Sequence, residues 1–376
     1  MCLLKILILT EYFPDTLKPV FTGGVESRVF HLVKFLEKRH KVEVVKRTGI
    51  YSFNSLAAVI HRVLFFLRQL VKIIFVSEKY DVVEGTNFST HILAFLYARK
   101  TGAKAVAWYP DVFIGRGVER LGLISGLATE LAERLTIRLP WDGVIALSGE
   151  TKKKLIKAGI NTRKIKTIYG GVNYNFYNNY KDYPKFKHPT LICIARLVKY
   201  KRVQDLLLAI YFLQERFRDI RAIIVGIGPE KKNLIKLSRQ LGIYERISWM
   251  KSVSENQKRE LLSRSHLHVL PSVVEGFGLV TIEALAAGTP VVNADIPINK
   301  EILNKQQATR DKLQVLGGLL FRVGDAADLA EKIEILLLDK KLYNQKVSEG
   351  EELVKKYEWQ KVNRQTEEFY QHLLSD

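Results

Sequence analysis

Short β-branched apolar runs alternate with amphipathic helical stretches along almost the whole chain, and this alternation restricts the fold more than any other feature. In the first half the strand-like runs are Leu3–Leu9, Val42–Val45, Asp81–Glu84, Ala105–Trp108 and Gly143–Leu147, with helical stretches such as Gly24–Arg39 and Ser89–Lys100 between them. The second half repeats the theme with Thr190–Ala195, Arg221–Val225, His268–Leu270 and Pro290–Asn293 as strands. Its helices are Arg202–Phe217, Glu230–Leu241, Glu255–Ser263, Leu279–Ala287 and Ala326–Leu337. Strands separated by helices pair in parallel, and the helices cover both faces of the sheet. Two such series in 376 residues fit two domains of ordinary size. The expected fold class is α/β, with two doubly wound Rossmann-like domains, each carrying its ligand crevice at the carboxyl ends of its strands.

The join between the series shows in composition. Tyr169–Lys187, YGGVNYNFYNNYKDYPKFK, is dense in Asn, Tyr and Gly and has neither a helical nor a strand period. The expected division is residues 1–175, a linker at 176–187, and residues 188–356. The last stretch, residues 357–376, reads as an amphipathic helix with Trp359, Val362, Phe369, Tyr370 and Leu373 as packing positions. The two cysteines, Cys2 and Cys193, make neither a disulfide framework nor a Cys-rich zinc site, so a reducing compartment is expected. Met1–Thr10 reads as a strand and not as a secretory leader, and the expected location is cytoplasmic. The net charge is +20 and unevenly spread: residues 1–185 hold 29 basic and 15 acidic side chains, residues 186–376 hold 30 and 24. A basic first half implies an anionic partner, whether nucleic acid, a phospholipid surface or a phosphorylated substrate.

The densest chemical signal is Pro271–Val292, PSVVEGFGLVTIEALAAGTPVV. It reads as a strand end, a Gly-rich turn holding Glu275, Gly276, Phe277 and Gly278, a helix starting near Leu279 and holding Glu283, then a tight turn and another strand. The glycines let backbone approach a ligand, and a helix N-terminus suits a phosphate. Two carboxylates beside an anion site repel it unless they accept hydrogen bonds from neutral hydroxyls. Phosphate plus polyhydroxyl describes a nucleotide sugar. Either glutamate alone is as well explained as a solvated surface residue; the combination is what carries the signal. Arg196 and Lys201 flank a loop at the end of the strand Thr190–Ala195, where a guanidinium and an ammonium suit a diphosphate, although surface bases in a basic protein are the alternative. Val225–Pro229, with Gly226 and Gly228, is by itself a plain turn, and it is not a G-x-G-x-x-G fingerprint. Gly23 and Gly24 separate the first strand from the first helix in Phe21–Glu26, where phosphate approach and a flexible turn are equally good readings.

Together these segments closely resemble the family 4 retaining glycosyltransferases of the GT-B fold, with a cleft between two Rossmann-like domains. The matching pieces are GGVE (Gly23–Glu26), VIALSGETKKKL (Val144–Leu155), YGGVN (Tyr169–Asn173), ARLVKYK (Ala195–Lys201), VGIGP (Val225–Pro229), EGFGLVTIE (Glu275–Glu283), GGLLF (Gly317–Phe321) and the Trp359 helix. The resemblance implies that a hexose-type sugar moves from a nucleotide-diphosphate donor to an acceptor hydroxyl or phosphate. It implies that Arg196 and Lys201 hold the donor diphosphate, that Glu275 contacts sugar hydroxyls and that Glu283 binds the ribose. Phe277, Gly278 and Leu279 would offer backbone contacts, Gly24 would approach the diphosphate, and the C-terminal helix would return to the first domain. With the diphosphate charge met by these bases, no cofactor and no obligatory metal are expected. The chain departs from the family pattern where Pro110 takes the usual histidine position before Asp111, Gly170 replaces an Asn, and Arg202 replaces a Gly after the diphosphate lysine. Asp111 becomes the candidate to position or deprotonate the acceptor hydroxyl, with a backbone-capping loop aspartate as the alternative.

Ser55–Val76 contains no acidic residue. At about 100° per residue His61, Arg68 and Lys72 share a face, with Arg62 and Gln69 adjoining it. It is too broken by charge to span a bilayer. An interfacial basic helix, with Arg62, Arg68 and Lys72 on an anionic membrane and a lipid-linked acceptor, is one reading; an ordinary packed helix beside a soluble saccharide acceptor is the other. Other classes fit less well. A nucleic-acid-binding protein would explain the charge, yet no recognised motif or basic-aromatic stripe is present, and no nucleic acid is expected. The eight histidines show no H-E-x-x-H, so a metal-dependent hydrolase lacks its ligand cluster. A GT-B nucleotide-sugar epimerase or phosphorylase would share the architecture, but the diphosphate pair with the two spaced glutamates favours transfer.

Overall fold

The computed structural model describes residues 3–11, 13–14, 23–47, 56–112, 114–115, 117, 123–179, 183–304 and 315–375. Phe21, Thr22, Ser55 and residues 180–182 of the expected linker lie outside them. The chain divides into two compact units, residues 1–170 with 359–376, and residues 171–358. The division falls at Gly170/Gly171, ahead of the expected linker at 176–187, and Tyr174–Asn178 is a short helix within the second unit.

The N-terminal unit is built on a six-stranded sheet of order β2-β1-β3-β4-β5-β6. Its strands are β1 (Lys5–Thr10), β2 (Lys41–Lys46), β3 (Val82–Gly85), β4 (Lys104–Tyr109), β5 (Gly143–Ala146) and β6 (Ile165–Thr167), and all pairings are parallel. β1 is covered on both faces, so its sequence KILILT is a continuous apolar run. β2, on the edge, alternates charge with valine (KVEVVK) and stays half-exposed. The helices are α1 (Gly24–Leu36), α2 (Leu56–Phe75), α3 (Phe88–Thr101), α4 (Leu123–Ile137), α5 (Gly149–Lys157) and, from the far end of the chain, α14 (Trp359–Ser375).

α14 packs against α1 and is held by buried charge. Glu84, at the middle of β3, accepts from the Arg28 guanidinium and, at 2.6 Å, from the Tyr370 hydroxyl. Arg28 also lies over the Trp108 ring, 4.8 Å from its centroid. Burial opposes the Arg28 charge, but Glu84 prevails and raises its pKa. A second anchor joins Glu367 to His40 Nε2 at 2.8 Å and to Arg39 at 3.2 Å. His40 Nδ1 accepts from the Leu4 N–H, so the proton sits on Nε2, facing Glu367. Trp359 stacks on His31 at 4.8 Å. Trp359, Val362 and Tyr370 are buried as the sequence pattern implied, while Phe369 and Leu373 press on Gly143 from half-buried positions.

The C-terminal unit repeats the plan with sheet order β12-β11-β10-β7-β8-β9, again all parallel. Its strands are β7 (Thr190–Ile194), β8 (Arg221–Val225), β9 (Ile247–Met250), β10 (Leu267–Leu270), β11 (Val291–Ala294) and β12 (Gly318–Phe321). Its helices are α6 (Tyr174–Asn178), α7 (Val203–Leu213), α8 (Lys231–Gln240), α9 (Glu255–Arg264), α10 (Leu279–Ala286), α11 (Pro297–Leu303), α12 (Ala326–Leu338) and α13 (Lys340–Val354). Every strand read from the sequence is present to within two residues at either end. β7 is followed by β8 and β9 on one side, after which the chain crosses to place β10, β11 and β12 on the other. The strand order therefore reverses between β7 and β10, and such a reversal opens a crevice at the strands' carboxyl ends.

Candidate active site

That reversal brings together two groups that lie 74 positions apart in the sequence. The loop leaving β7 carries Arg196 and then a short 3-10 turn, Lys199–Lys201. The loop leaving β10 carries Glu275. Lys201 Nζ donates to Glu275 Oε1 at 2.5 Å, and both side chains are largely buried. The loops are also joined by backbone, since Val273 N–H donates to Tyr200 C=O at 3.0 Å. Arg196 stays exposed, with Nη2 on the Tyr200 hydroxyl at 2.5 Å. Arg202, the residue departing from the family glycine, has φ 48°, a left-handed conformation that an L side chain adopts at a cost. A bidentate pair with buried Asp205, at 2.7 and 2.9 Å, holds it there.

Gly278, at φ 81°, is the residue before α10, where a side chain would be strained, and no side chain caps the helix. The first N–H groups of α10 thus lie behind the Glu275–Gly278 turn, at the end where helix partial charge is positive. Phe277 is a core residue, its ring edge-on to Tyr357 at 5.4 Å, so its side chain is given to packing; Gly276 and Leu279 are partly exposed. At Gly226 and Gly228 packing by itself demands glycine. A Cβ on Gly226 would lie 1.9 Å from Ala195 O, and one on Gly228 would lie 2.2 Å from Leu197 O. They let β8's end pack against the Arg196 loop and so shape it.

Glu283 faces inward from α10 onto α9. Lys258 Nζ donates to Glu283 Oε1 at 2.8 Å and pairs with Glu255 at 3.0 Å. The Tyr177 hydroxyl of α6 donates to Glu255 Oε2 at 3.1 Å. α9 is set in register by a capping box, in which Ser254 Oγ accepts from Gln257 N–H and Gln257 Oε1 accepts from Ser254 N–H. Burial raises the Glu283 pKa above the ordinary glutamate value, Lys258 opposes the rise and Glu255 adds to it. For Lys258 burial works against the charge, but the two carboxylates win and its pKa is raised. Glu283 Oε2 is buried and has no hydrogen-bond partner among the described residues. The sequence reading found Glu283 but missed Lys258, Glu255 and Tyr177.

In the N-terminal unit, Gly23 caps α1 in an extended conformation and Gly24 is its first residue, with no side-chain cap. Among the described residues a Cβ on Gly23 would meet nothing within 4 Å. Asp111 is mostly buried just past β4; its Oδ1 accepts from Val112 N–H at 2.8 Å and from Lys154 Nζ at 2.6 Å. Local backbone capping, the alternative weighed for Asp111, is therefore present, and Lys154 is its counter-ion. Arg62 is likewise turned inward onto Glu11 at 3.1 Å, which removes it from the expected membrane set, whereas Arg68 and Lys72 are exposed. Among the described residues no helix is long and apolar enough to cross a membrane.

Residues 179–353 match the family model described as glycosyl transferases group 1, and residues 22–176 match the model of glycosyltransferase family 4. The chain belongs to glycosyltransferase family 4. Among curated relatives, this glycosyltransferase is 25% identical over 378 residues to the phosphatidylinositol N-acetylglucosaminyltransferase gpi3 subunit of Schizosaccharomyces pombe, covering 94% of this chain and 78% of that protein. It is 29% identical over 184 residues to a phosphatidyl-myo-inositol mannosyltransferase of Mycobacterium leprae, covering 48% of this chain and 46% of that protein. Among solved structures, sucrose-phosphate synthase from Thermosynechococcus elongatus matches at TM-score 0.79 and 17% identity, over 99% of both chains. Anabaena HepE in complex with UDP-glucose matches at 0.73 and 19%, over 98% of this glycosyltransferase and 100% of that chain. The fold is GT-B, as the resemblance implied.

Proposed function

We propose that this glycosyltransferase moves a hexose-type sugar from a nucleotide-diphosphate donor, with retention at the anomeric carbon, to a hydroxyl or phosphate of a lipid-linked acceptor. The observation that carries the donor half is the division of charge in the C-terminal unit. Arg196, Lys201 and Glu275 together leave one positive charge in excess at the β7/β10 reversal, while Glu255, Lys258 and Glu283 leave one negative charge in excess on α9 and α10. The first suits a diphosphate, the second a neutral diol that donates to a carboxylate. On donor binding the diphosphate takes over Lys201, and Glu275 is released to accept from a sugar hydroxyl. Arg196 and Lys201 then neutralise the charge that develops on the nucleoside-diphosphate leaving group, and we expect the reaction to need no obligatory metal. The UDP-glucose bound to HepE supports the donor class, and the phosphatidylinositol acceptors in the names of two relatives support the lipid.

The test is a thermal-shift screen with UDP-, GDP- and ADP-sugars in the presence of EDTA. A ligand at 100 times its Kd adds about 2.7 kcal/mol, which moves the melting point of a unit this size by about 5–10 °C. One nucleotide should stand out. If none of the three shifts the transition, the donor reading is wrong. The anomeric configuration of the product, read by NMR, tests retention.

A further inference from the structure

The helices on one side of the N-terminal sheet carry apolar surface that the unit does not use. On α2, Phe65, Phe66, Leu70 and Ile73 pack inward, and Gln69 accepts from the Tyr97 hydroxyl of α3 at 2.9 Å. The other face shows Ile60, Leu64, Leu67, Val71 and Ile74 at three- and four-residue spacing, each 46–63% exposed. α4 does the same with Leu123, Leu127, Leu131 and Leu135, one per turn and 55–66% exposed. α3 packs against both α2 and α4, so the two ridges flank it on the same side of the sheet.

Among the described residues the exposed charge on these three helices is of one sign. The exposed ionic side chains of the three helices are Arg68, Lys72, Arg99, Lys100 and Arg134 among the described residues. The carboxylates of α4 are turned away: Glu130 accepts from Gly117 N–H at 2.7 Å, and Glu133 from Ile114 N–H at 2.9 Å. A second copy of the chain would set like charges against each other. The apolar groups form raised ridges on helices of 20 and 15 residues, about 30 and 22 Å long, and not a groove that a peptide would fill. A soft anionic surface fits both features.

We infer that the α2–α3–α4 face docks on an anionic lipid bilayer. The two apolar ridges enter the boundary between headgroups and acyl chains, and Arg68, Lys72 and Arg134 meet lipid phosphates. The inference deepens the lipid-acceptor reading and rests on it for its role in the reaction. It adds the leucine ridge of α4 as the second contact line and leaves Arg62 out.

The experiment is co-sedimentation of the full chain with vesicles, without donor or acceptor, at low salt. The vesicles are phosphatidylcholine alone, or a two-to-one mixture of phosphatidylcholine and phosphatidylglycerol. The wild-type protein should bind the mixed vesicles and release them at high salt. Arg68→Gln with Lys72→Gln should lower partitioning about 30-fold. Leu127→Ser with Leu131→Ser should lower it on the order of 100-fold. Both variants should keep the wild-type melting point and the wild-type nucleotide shift. Failure of the wild-type protein to bind, or leucine variants that bind as well as it does, overturns the inference. So does a wild-type dimer in light scattering that the leucine variant dissolves while vesicle binding is unchanged. Vesicle binding with no nucleotide shift would leave the docking face standing and remove the donor reading; a nucleotide shift without vesicle binding would do the reverse.

Discussion

Replacing Lys258 by methionine keeps most of the side-chain volume and removes the charge that Glu255 and Glu283 share. Breaking a buried ion pair by deleting one partner costs about 3–5 kcal/mol. The lower end applies here, because the Glu255 side chain is 26% exposed and reaches water, and because Glu283 can take up a proton. A loss of about 3 kcal/mol in a unit of this size lowers its melting point by about 6–12 °C. The loss should depend on pH. Without Lys258 the Glu283 pKa rises further above its unfolded value, and a carboxyl with a raised folded pKa is relatively stabilised as pH falls through that value towards the unfolded one. The penalty for Lys258→Met should therefore be largest near about pH 8 and shrink towards about pH 5. Glu283→Gln in the same background should recover part of it, because an amide needs no counter-ion. The assay is calorimetry of wild type, both single variants and the double variant at the two pH values. A penalty below about 1 kcal/mol, equal at both pH values and not relieved by Glu283→Gln, would refute the reasoning that Lys258 opposes the rise of the Glu283 pKa inside the unit.

Three further outcomes follow from the same geometry. Lys201→Ala should lower kcat/KM about 100-fold or more, the cost of removing one preorganised charge from a leaving group, and unchanged turnover would dismiss Lys201 from the chemistry. Arg202→Ala should destabilise the C-terminal unit in urea by more than Arg202→Gly does, by about 1 kcal/mol, because alanine keeps the left-handed strain at φ 48° that glycine relieves while both lose the Asp205 pair. Gly226→Ala should weaken nucleotide binding in isothermal calorimetry with the fold retained, because its Cβ would lie 1.9 Å from Ala195 O and push the Arg196 loop away from β8.

The strands were legible because buried parallel strands are near-continuous apolar runs, as KILILT and GVIA are. β6, β9 and β12, with sequences IKT, ISWM and GLLF, were not read as strands; edge strands of three or four residues carry too few side chains to show a period. Glu275 and Lys201 were each visible beside a turn, but their pairing depends on β7 and β10 being neighbours, which is a property of strand order and not of either loop. Lys258 sits in ENQKRELLSR, which reads as a solvated charged helix, and only the packing of α9 against α10 turns it onto Glu283. The leucines of α4 depart from the usual pattern. A leucine at every fourth position ordinarily marks the face that packs inward, and here that face looks outward.

The course of the chain through the two units sets an order of assembly during synthesis. Residues 171–358 are contiguous, so the C-terminal unit can fold as soon as they have left the ribosome. The N-terminal unit emerges first but cannot be completed then, because Glu84 and His40 receive Tyr370 and Glu367 only after α14 has been made. In the interval Glu84 still has Arg28, while the surface later covered by Trp359 and Val362 is open to water and to chaperones. Of the two units, the one whose first residues are made earlier is thus the one completed last.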